Sequence, residues 1–409
     1  RMNEILYQVK GTSLYEIDRL GAHTLRGTIP GSKRCIMADD GVNMFIVVPG
    51  EKVWQYSTDT NIVTEVTNVN ITGALSVDFL NNLFIYTFAD FTTISDVGNG
   101  ASAGGLNRIG EETLPDAMVR DFVFEERIYR CGVRSIVGWY NSGVGSPPID
   151  KLQGLIFNVG LAATYSIAET DEAMYWLGDD NAIYRAQAGS KSRISTDAIS
   201  NTISKFTTIN DAVGFTYTLE GQNFYTITFP AENKTFTVSE SLGVNGWFEL
   251  SSGLSDGKWQ GSSVISAYGK NYAADVSNGN VYELNLDTYT NNSDPLQRTR
   301  VTQSANGDLL GTKGKRVQMS CLKITMETGV GVVAGQGDNP RIMVEYSDDG
   351  GRTWSAGSWP RVGRLGEFTL QVEFFDLGSF YDRMFRVSTT DPVNYSIYSA
   401  TIDLRRAGK

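Results

Sequence analysis

The sequence predicts an all-β protein, an irregular β-propeller followed by a C-terminal β-sandwich or barrel-like domain. Three observations predict it. Over 409 residues there are 19 Tyr, 19 Phe and 43 Gly but only 10 Pro, a balance that favours short strands joined by tight turns. Apolar strands bounded by turn residues recur about every forty to fifty residues, the period of propeller blades. From Met319 onward the strands lengthen and alternate, as in sheets with one wet face.

The first stretch shows three strands in succession. Phe45 to Val48 is followed by Pro49-Gly50, then Val53 to Tyr56, the polar turn Ser57 to Asn61, and Ile62 to Val66. Comparable apolar strands follow at Leu83 to Phe88, Arg127 to Cys131, Ala173 to Leu177, Phe224 to Phe229 and Tyr272 to Val276. A second recurring element, ending each time in a polar turn, comprises Ser13 to Ile17, Asn181 to Arg185 and Asn280 to Leu284. With neither a WD dipeptide nor a kelch glycine pair, this self-similarity implies roughly five or six irregular blades. A large sandwich with meander connections is the competing arrangement. Gly98 to Gly105 reads as a flexible loop tip.

A change of composition at Asn291 to Pro295 marks a boundary. Residues 1–290 form the propeller-like domain. Residues 291–318, with Lys313, Lys315 and Arg316, form a linker or extended loop, and residues 319–409 form the C-terminal all-β domain. Its expected strands are Leu322 to Met326, Arg341 to Tyr346, Glu367 to Phe374, Met384 to Ser388 and Tyr395 to Leu404.

Charge and cysteine usage exclude whole classes of function. There are 35 Lys and Arg against 46 Asp and Glu, a net charge of -11. A protein that grips DNA phosphates over a broad surface carries the opposite sign, so this one repels the duplex rather than clasping it. Cys35, Cys131 and Cys321 are far apart and contain no CxxC pair, and His23 is the sole histidine. A structural zinc site and a cysteine nucleophile with its base are both excluded on that inventory, and the three thiols read as small buried apolar groups. No stretch of 18 apolar residues and no signal-peptide pattern occurs. The opening Arg1-Met2-Asn3-Glu4 lacks an initiator methionine, as in a processed or truncated product.

The sharpest local motif is Ser347-Asp348-Asp349-Gly350-Gly351-Arg352-Thr353-Trp354, which resembles an Asp box. In such a box Ser347 and Asp349 cap a hairpin turn, Gly351 supplies positive φ, Thr353 closes the loop and Trp354 packs beneath it, so its chemistry is conformational. Gly329-Val330-Gly331-Val332-Val333-Ala334 has the letters of a dinucleotide fingerprint, but Gly335, Gly337 and Pro340 forbid the helix that must follow. The pairs Asp39-Asp40, Glu125-Glu126 and Asp179-Asp180 are solvated turn carboxylates, because neighbours on a strand point apart and make no acid and nucleophile pair. Arg361, Arg364, Arg405 and Arg406 are candidate interface residues, either contacting an acidic neighbour or DNA phosphate or, as favoured in so acidic a chain, forming ion pairs between subunits. No catalytic, cofactor-binding or metal-binding residue is assigned.

Four segments carry a family resemblance: Ile128 to Gly132, Ile136 to Gly143 with its Trp-Tyr-Asn-Ser-Gly turn, the glycine-led loop Val159 to Ala168, and Met174 to Gly178 with Trp-Leu-Gly. Together with Gly246-Trp247-Phe248, Gly261 to Leu286 and Tyr346 to Leu404, they resemble the packaged-DNA stabilisation proteins, also called tail-hub or nozzle proteins, of short-tailed phages. About half the chain is covered, and the motifs fall in the family's order. The departure is at the start, where the family carries an additional segment.

The resemblance implies a non-enzymatic homo-oligomer, a hexameric ring around the DNA exit channel in the virion tail, made in the host cytoplasm. It implies as partners a head-to-tail adaptor protein, a tail needle or plug, a tail spike or fibre, and double-stranded DNA in passing contact, with no cofactor and no small-molecule ligand. An acidic channel would let the duplex slide without sticking. The rival from another class is a sialidase-like depolymerase or glycan-binding propeller. It needs several Asp boxes and an arginine cluster.

Overall fold

The computed structural model describes residues 1–110, 116–239, 241–242, 246–254, 256–307, 309–311, 315–375 and 377–405, without the Arg405 side chain. The chain divides into two compact units, Arg1–Ser251 with Gly257–Leu284, and Ser252–Asp256 with Asn285–Lys409.

Among the described residues, the first unit is a succession of seven antiparallel sheets, each built from consecutive strands. Their first strands are Leu6–Lys10, Ile36–Asp39, Ser76–Leu80, Met118–Phe124, Ala168–Glu169, Val213–Leu219 and Gly261–Ala267, so the repeat runs from 30 to 50 residues. Sheets two to six have four strands; the first and seventh have three. The expectation of five or six blades is thus corrected to seven sheets. The strands legible in the sequence were the second ones, such as Leu83–Thr87 and Met174–Leu177, which are buried along their whole length and therefore read as continuous apolar runs. Ser13–Ile17 is the middle strand of a sheet of its own, and the strands grouped with it in sequence are Ile183–Gln187 of sheet five and Val281–Leu284 of sheet seven.

Apolar side chains from facing sheets interdigitate and make a separate core at each junction from the first sheet to the sixth. Between sheets two and three lie Phe45, Val47, Phe84 and Tyr86; between four and five, Tyr129, Phe157, Trp176 and Tyr184. In the second of these, Trp176 stacks on Phe157 at 5.8 Å and on Tyr184 at 5.5 Å, contacts of about 0.5–1.5 kcal/mol each beyond area burial. Between five and six, Tyr175 stacks on Tyr225 at 5.0 Å. The single described α-helix, Asp197–Ile203, is capped by Thr196, whose side chain accepts from Ile199 N, and it buries Ile203 against the same core. The ring closes where the seventh sheet meets the first. There Leu6, Ile17 and Ala267 pack, and the Tyr268 hydroxyl donates to Ile17 O at 2.8 Å.

Gly98 to Gly105, expected as a flexible tip, is folded down. A Cβ on Gly100 would lie 2.4 Å from the Phe45 ring, Ala103 is buried, and the Tyr86 hydroxyl donates to Gly100 O. Asp96 fixes the loop by accepting from Ser102 Oγ at 2.6 Å and Asn107 Nδ2 at 3.1 Å.

The second unit is a β-sandwich. One sheet pairs Arg298–Val301, Ala305–Asn306 and Met343–Ser347 with the central Asp382–Thr389; the other pairs Val372–Phe375, Ser379–Phe380 and Ile397–Arg405 with the central Val317–Met326. Leu322, Ile324, Phe374, Val344, Phe385 and Val387 fill the space between. The segment 291–318, expected as a linker, supplies Arg298–Val301 and Ala305–Asn306 to this sandwich. Lys313 lies outside the described residues. The strand expected from Glu367 begins only at Val372, because Gly363 and Gly366 hold φ of +107° and +87° and the Glu367 carboxylate accepts Arg364 N at 2.8 Å, closing a turn.

Candidate functional site

The Asp-box hairpin follows the strand Met343–Ser347 and belongs to the sandwich unit, not to a propeller sheet. Its Ser347 hydroxyl donates to Asp349 Oδ1 at 2.7 Å and accepts Gly351 N at 2.8 Å. Asp349 Oδ1 also accepts from the amides of Arg352 and Thr353, both at 2.9 Å, while Oδ2 accepts the Thr353 hydroxyl at 2.6 Å. These donors hold the Asp349 carboxyl far below the usual carboxylate range, the Thr353 side chain most of all. Gly350 and Gly351 carry φ of +75° and +88°, which the reversal requires. The Trp354 ring lies near Gly351, and the Arg386 guanidinium lies 4.3 Å from its centroid. Both carboxylate oxygens of Asp349 thus accept hydrogen bonds from within the loop.

Beside it, Arg383 is 2 % exposed and grips Asp348 with both Nε (2.6 Å) and Nη2 (2.7 Å), while Nη1 donates to Leu377 O. Its guanidinium lies 3.9 Å from the Tyr346 ring centroid and 4.4 Å from that of Phe380.

Of the arginines marked as interface candidates, Arg361 donates to Asn339 Oδ1 at 2.8 Å and pairs with Glu367 at 2.5 Å within its own loop. Arg364 contributes its backbone amide to the same carboxylate, and its side chain is exposed. The Arg405 side chain and all of Arg406 lie outside the described residues.

The propeller unit carries charge groups that sequence reasoning missed. Asp78, Arg120 and Glu169 lie on the first strands of sheets three, four and five. Asp78 accepts Val123 N at 2.9 Å and Phe79 N at 2.8 Å, yet burial pushes its carboxyl up to about 6 against the pull of Arg120. Burial, and then Asp78, push Glu169 up to about 7. Beside Arg120, whose Nη1 donates to Thr164 O at 3.4 Å, the Tyr165 hydroxyl donates to Arg34 O at 2.5 Å, the Arg34 guanidinium lies 5.5 Å from the Tyr165 ring, and Arg34 Nη2 donates to Ser262 O at 3.1 Å. The links that lead into sheets two and five thus meet there with the first strand of sheet seven. Tyr165 and Arg34 come from links between sheets, and no periodicity marks them. A cavity of about 380 Å³ is lined by Glu125, Glu169, Asp171, Thr216, Thr218 and Ser266. Among the described residues no group of three or more His, Cys, Asp or Glu is placed to hold a metal ion.

The negative charge is unevenly shared. Up to Leu284 there are 20 Lys and Arg against 32 Asp and Glu, a net of -12, and beyond it 15 against 14, a net of +1.

Comparison with known proteins begins with solved structures. The β-propeller domain of Cps50 (Swd1) from Myceliophteria thermophila covers 70 % of this chain and 96 % of its own at 9 % identity and a TM-score of 0.45. PorZ of Porphyromonas gingivalis, a component of the type-IX secretion system, covers 70 % of this chain and 36 % of its own at 12 % identity and a TM-score of 0.42. No curated protein matches. Two family models match in succession, the β-propeller of bacteriophage P22 Gp10 over residues 1–289 and its β-sandwich over residues 303–405. The chain therefore belongs to the family of bacteriophage P22 Gp10, the tail nozzle and DNA-stabilisation proteins of short-tailed phages.

Proposed function

We propose that copies of this chain assemble into a ring around the DNA exit channel of the virion tail, retain packaged DNA and guide its ejection. The chain is a structural tail protein by family, and its work in this reading is geometric rather than catalytic. A seven-sheet ring with apolar cores between successive sheets from the first to the sixth is a stiff building block, suited to holding a channel at fixed width. The observation that carries the DNA part is the net -12 of residues 1–284, which repels phosphates and so favours sliding over adhesion. A head-to-tail adaptor ring, a tail needle or plug, and a tail spike or fibre are the proposed virion partners.

Negative-stain microscopy of the purified protein, alone and mixed with the adaptor of the same phage, tests this. Rings with a central pore are expected. A protein that stays monomeric in both preparations, or that retards duplex DNA at 150 mM salt, would overturn the reading.

A further inference from the structure

We infer that the first sheet of the propeller is built to receive a fourth, innermost strand, and that this strand enters in cis through the turn at Met2–Ile5. In sheets three, four, six and seven a two-residue turn joins the first strand to the second. The turn residues are Asn81-Asn82, Glu125-Glu126, Glu220-Gly221 and Tyr268-Gly269, all at positive φ. Such turns match the right-handed twist of paired strands. Asn3 and Glu4 have φ of 50° and 62°, and Met2 and Ile5 exchange backbone hydrogen bonds of 3.1 and 3.0 Å across them. The same hairpin turn therefore leads into Leu6–Lys10, which makes Leu6–Lys10 a second strand by position.

Its neighbours agree. Tyr7 and Val9 pack with Met44 and Ile46 of the second strand in sheet two, and Asn3 Nδ2 donates to Gly41 O in that sheet's own first turn. Tyr268, in the first turn of sheet seven, reaches Leu6 N. The His23–Thr28 strand lies beside Ile62–Glu65, the outermost strand of sheet two, and a Cβ on Gly27 would meet Val63 at 2.6 Å. Sheet one thus fills the second, third and outermost positions and leaves the innermost one without a strand.

That position is a cavity of about 550 Å³, running along Leu6–Lys10 between Ser262–Ile265 of sheet seven and Arg34, Cys35 and Met37 of sheet two. Among the described residues only Leu6, Ile17 and Ala267 form the buried cluster at this junction, where the cores between successive sheets from the first to the sixth hold seven to fifteen residues. Gln8 Oε1 is buried beside it without a hydrogen-bond partner. An extended segment antiparallel to Leu6–Lys10 supplies what the slot lacks: backbone donors and acceptors for the free edge and alternate apolar side chains for the gap.

Cys35 lines the slot and is partly exposed, whereas Cys131 and Cys321 are buried, so its alkylation reports occupancy. The test compares the 409-residue chain with one extended before Arg1 by seven residues alternating Thr and Val. A control extension has Pro at every second position and cannot pair. The alternating extension is expected to slow Cys35 alkylation by about tenfold or more, as closure of a locally open segment does, and to raise Tm by several degrees. Equal protection by the proline extension, or unchanged labelling and Tm, would overturn the inference. Equal protection by the same peptide added unlinked at equimolar concentration would overturn entry in cis. None of these outcomes bears on ring assembly.

Discussion

Asp121 and Arg130 face each other on neighbouring strands of the fourth sheet, Nε to Oδ1 at 3.4 Å, both side chains at most 1 % exposed. Asp121 Oδ2 accepts hydroxyls from Thr87 at 2.9 Å and Thr92 at 2.5 Å, both on the third sheet, and the Arg130 guanidinium covers the Trp139 ring at 5.3 Å. This pair joins two sheets at a point where apolar packing would otherwise do so. Removing one partner strands a buried charge, so Asp121→Ala is expected to cost about 3–5 kcal/mol. Thr92→Val, which removes one hydroxyl, should cost about 1–2 kcal/mol. Urea denaturation followed by tryptophan fluorescence checks the order, and equal losses would contradict it.

Asp349 makes the sandwich sensitive to acid. Its carboxyl lies lower in the folded state than unfolded, so its stabilising contribution is present above the unfolded value near 4 and fades as the pH falls through the folded value. The Trp354 fluorescence should therefore report loss of the hairpin on acidification below about pH 4. In Asp349→Asn, which cannot satisfy the same donors, the Tm should already be lower at pH 7, and its further fall with acid should be shallower than the parent's.

Glu169 has the opposite sign. With its folded value raised to about 7, the folded state holds the proton more tightly, and stability declines as pH rises from the unfolded value toward 7. Glu169→Gln removes the ionised form that burial and Asp78 disfavour. The variant should melt above the parent at pH 8 and level with it at pH 5. A constant difference across that range would show that Glu169 acts through some other contact.

The sequence made the sheet centres visible and hid their edges. Strands buried on both faces, such as Phe224 to Phe229, read as apolar runs, whereas His23–Thr28 and Ser190–Arg193 are polar outer strands with little to distinguish them from loops. The Asp box was legible because its caps are local, six positions from first to last donor. The Asp121–Arg130 pair was missed, although a signal existed: the two residues are equidistant from the Glu125-Glu126 turn, and a two-residue hairpin pairs positions equidistant from its centre. Arg34 and Tyr165 are 131 residues apart and meet only because the ring closes, so nothing local could announce them.

Gly160 shows why the glycine-led loop before the fifth sheet has the residue it does. A Cβ there would lie 2.0 Å from Val133 O and 2.4 Å from Arg134 N, both backbone, while its amide donates to Asp179 Oδ1 at 2.8 Å. Gly160→Ala must displace one chain from the other and should cost about 1–3 kcal/mol or more. At Gly104 the nearest atom to a new Cβ is Asn107 Nδ2 at 3.6 Å, so Gly104→Ala should stay within about 0.5 kcal/mol of the parent. Thermal melts of the two variants side by side decide it.

Arg383 is the last case in which geometry separates two substitutions that look alike. Its planar fork reaches both oxygens of Asp348 while lying between Tyr346 and Phe380 and donating to Leu377 O. A lysine keeps the charge but has no plane to stack and no second nitrogen for the carboxylate. Arg383→Lys should therefore cost about 1–3 kcal/mol, mainly from stacking and the orphaned carbonyl. Asp348→Asn should cost less, since Asp348 is 45 % exposed and water replaces part of what it loses. If urea midpoints show Arg383→Lys as stable as the parent, the stacked guanidinium is not what holds this corner of the sandwich, and the apolar contacts of Phe380 and Phe385 alone must hold it.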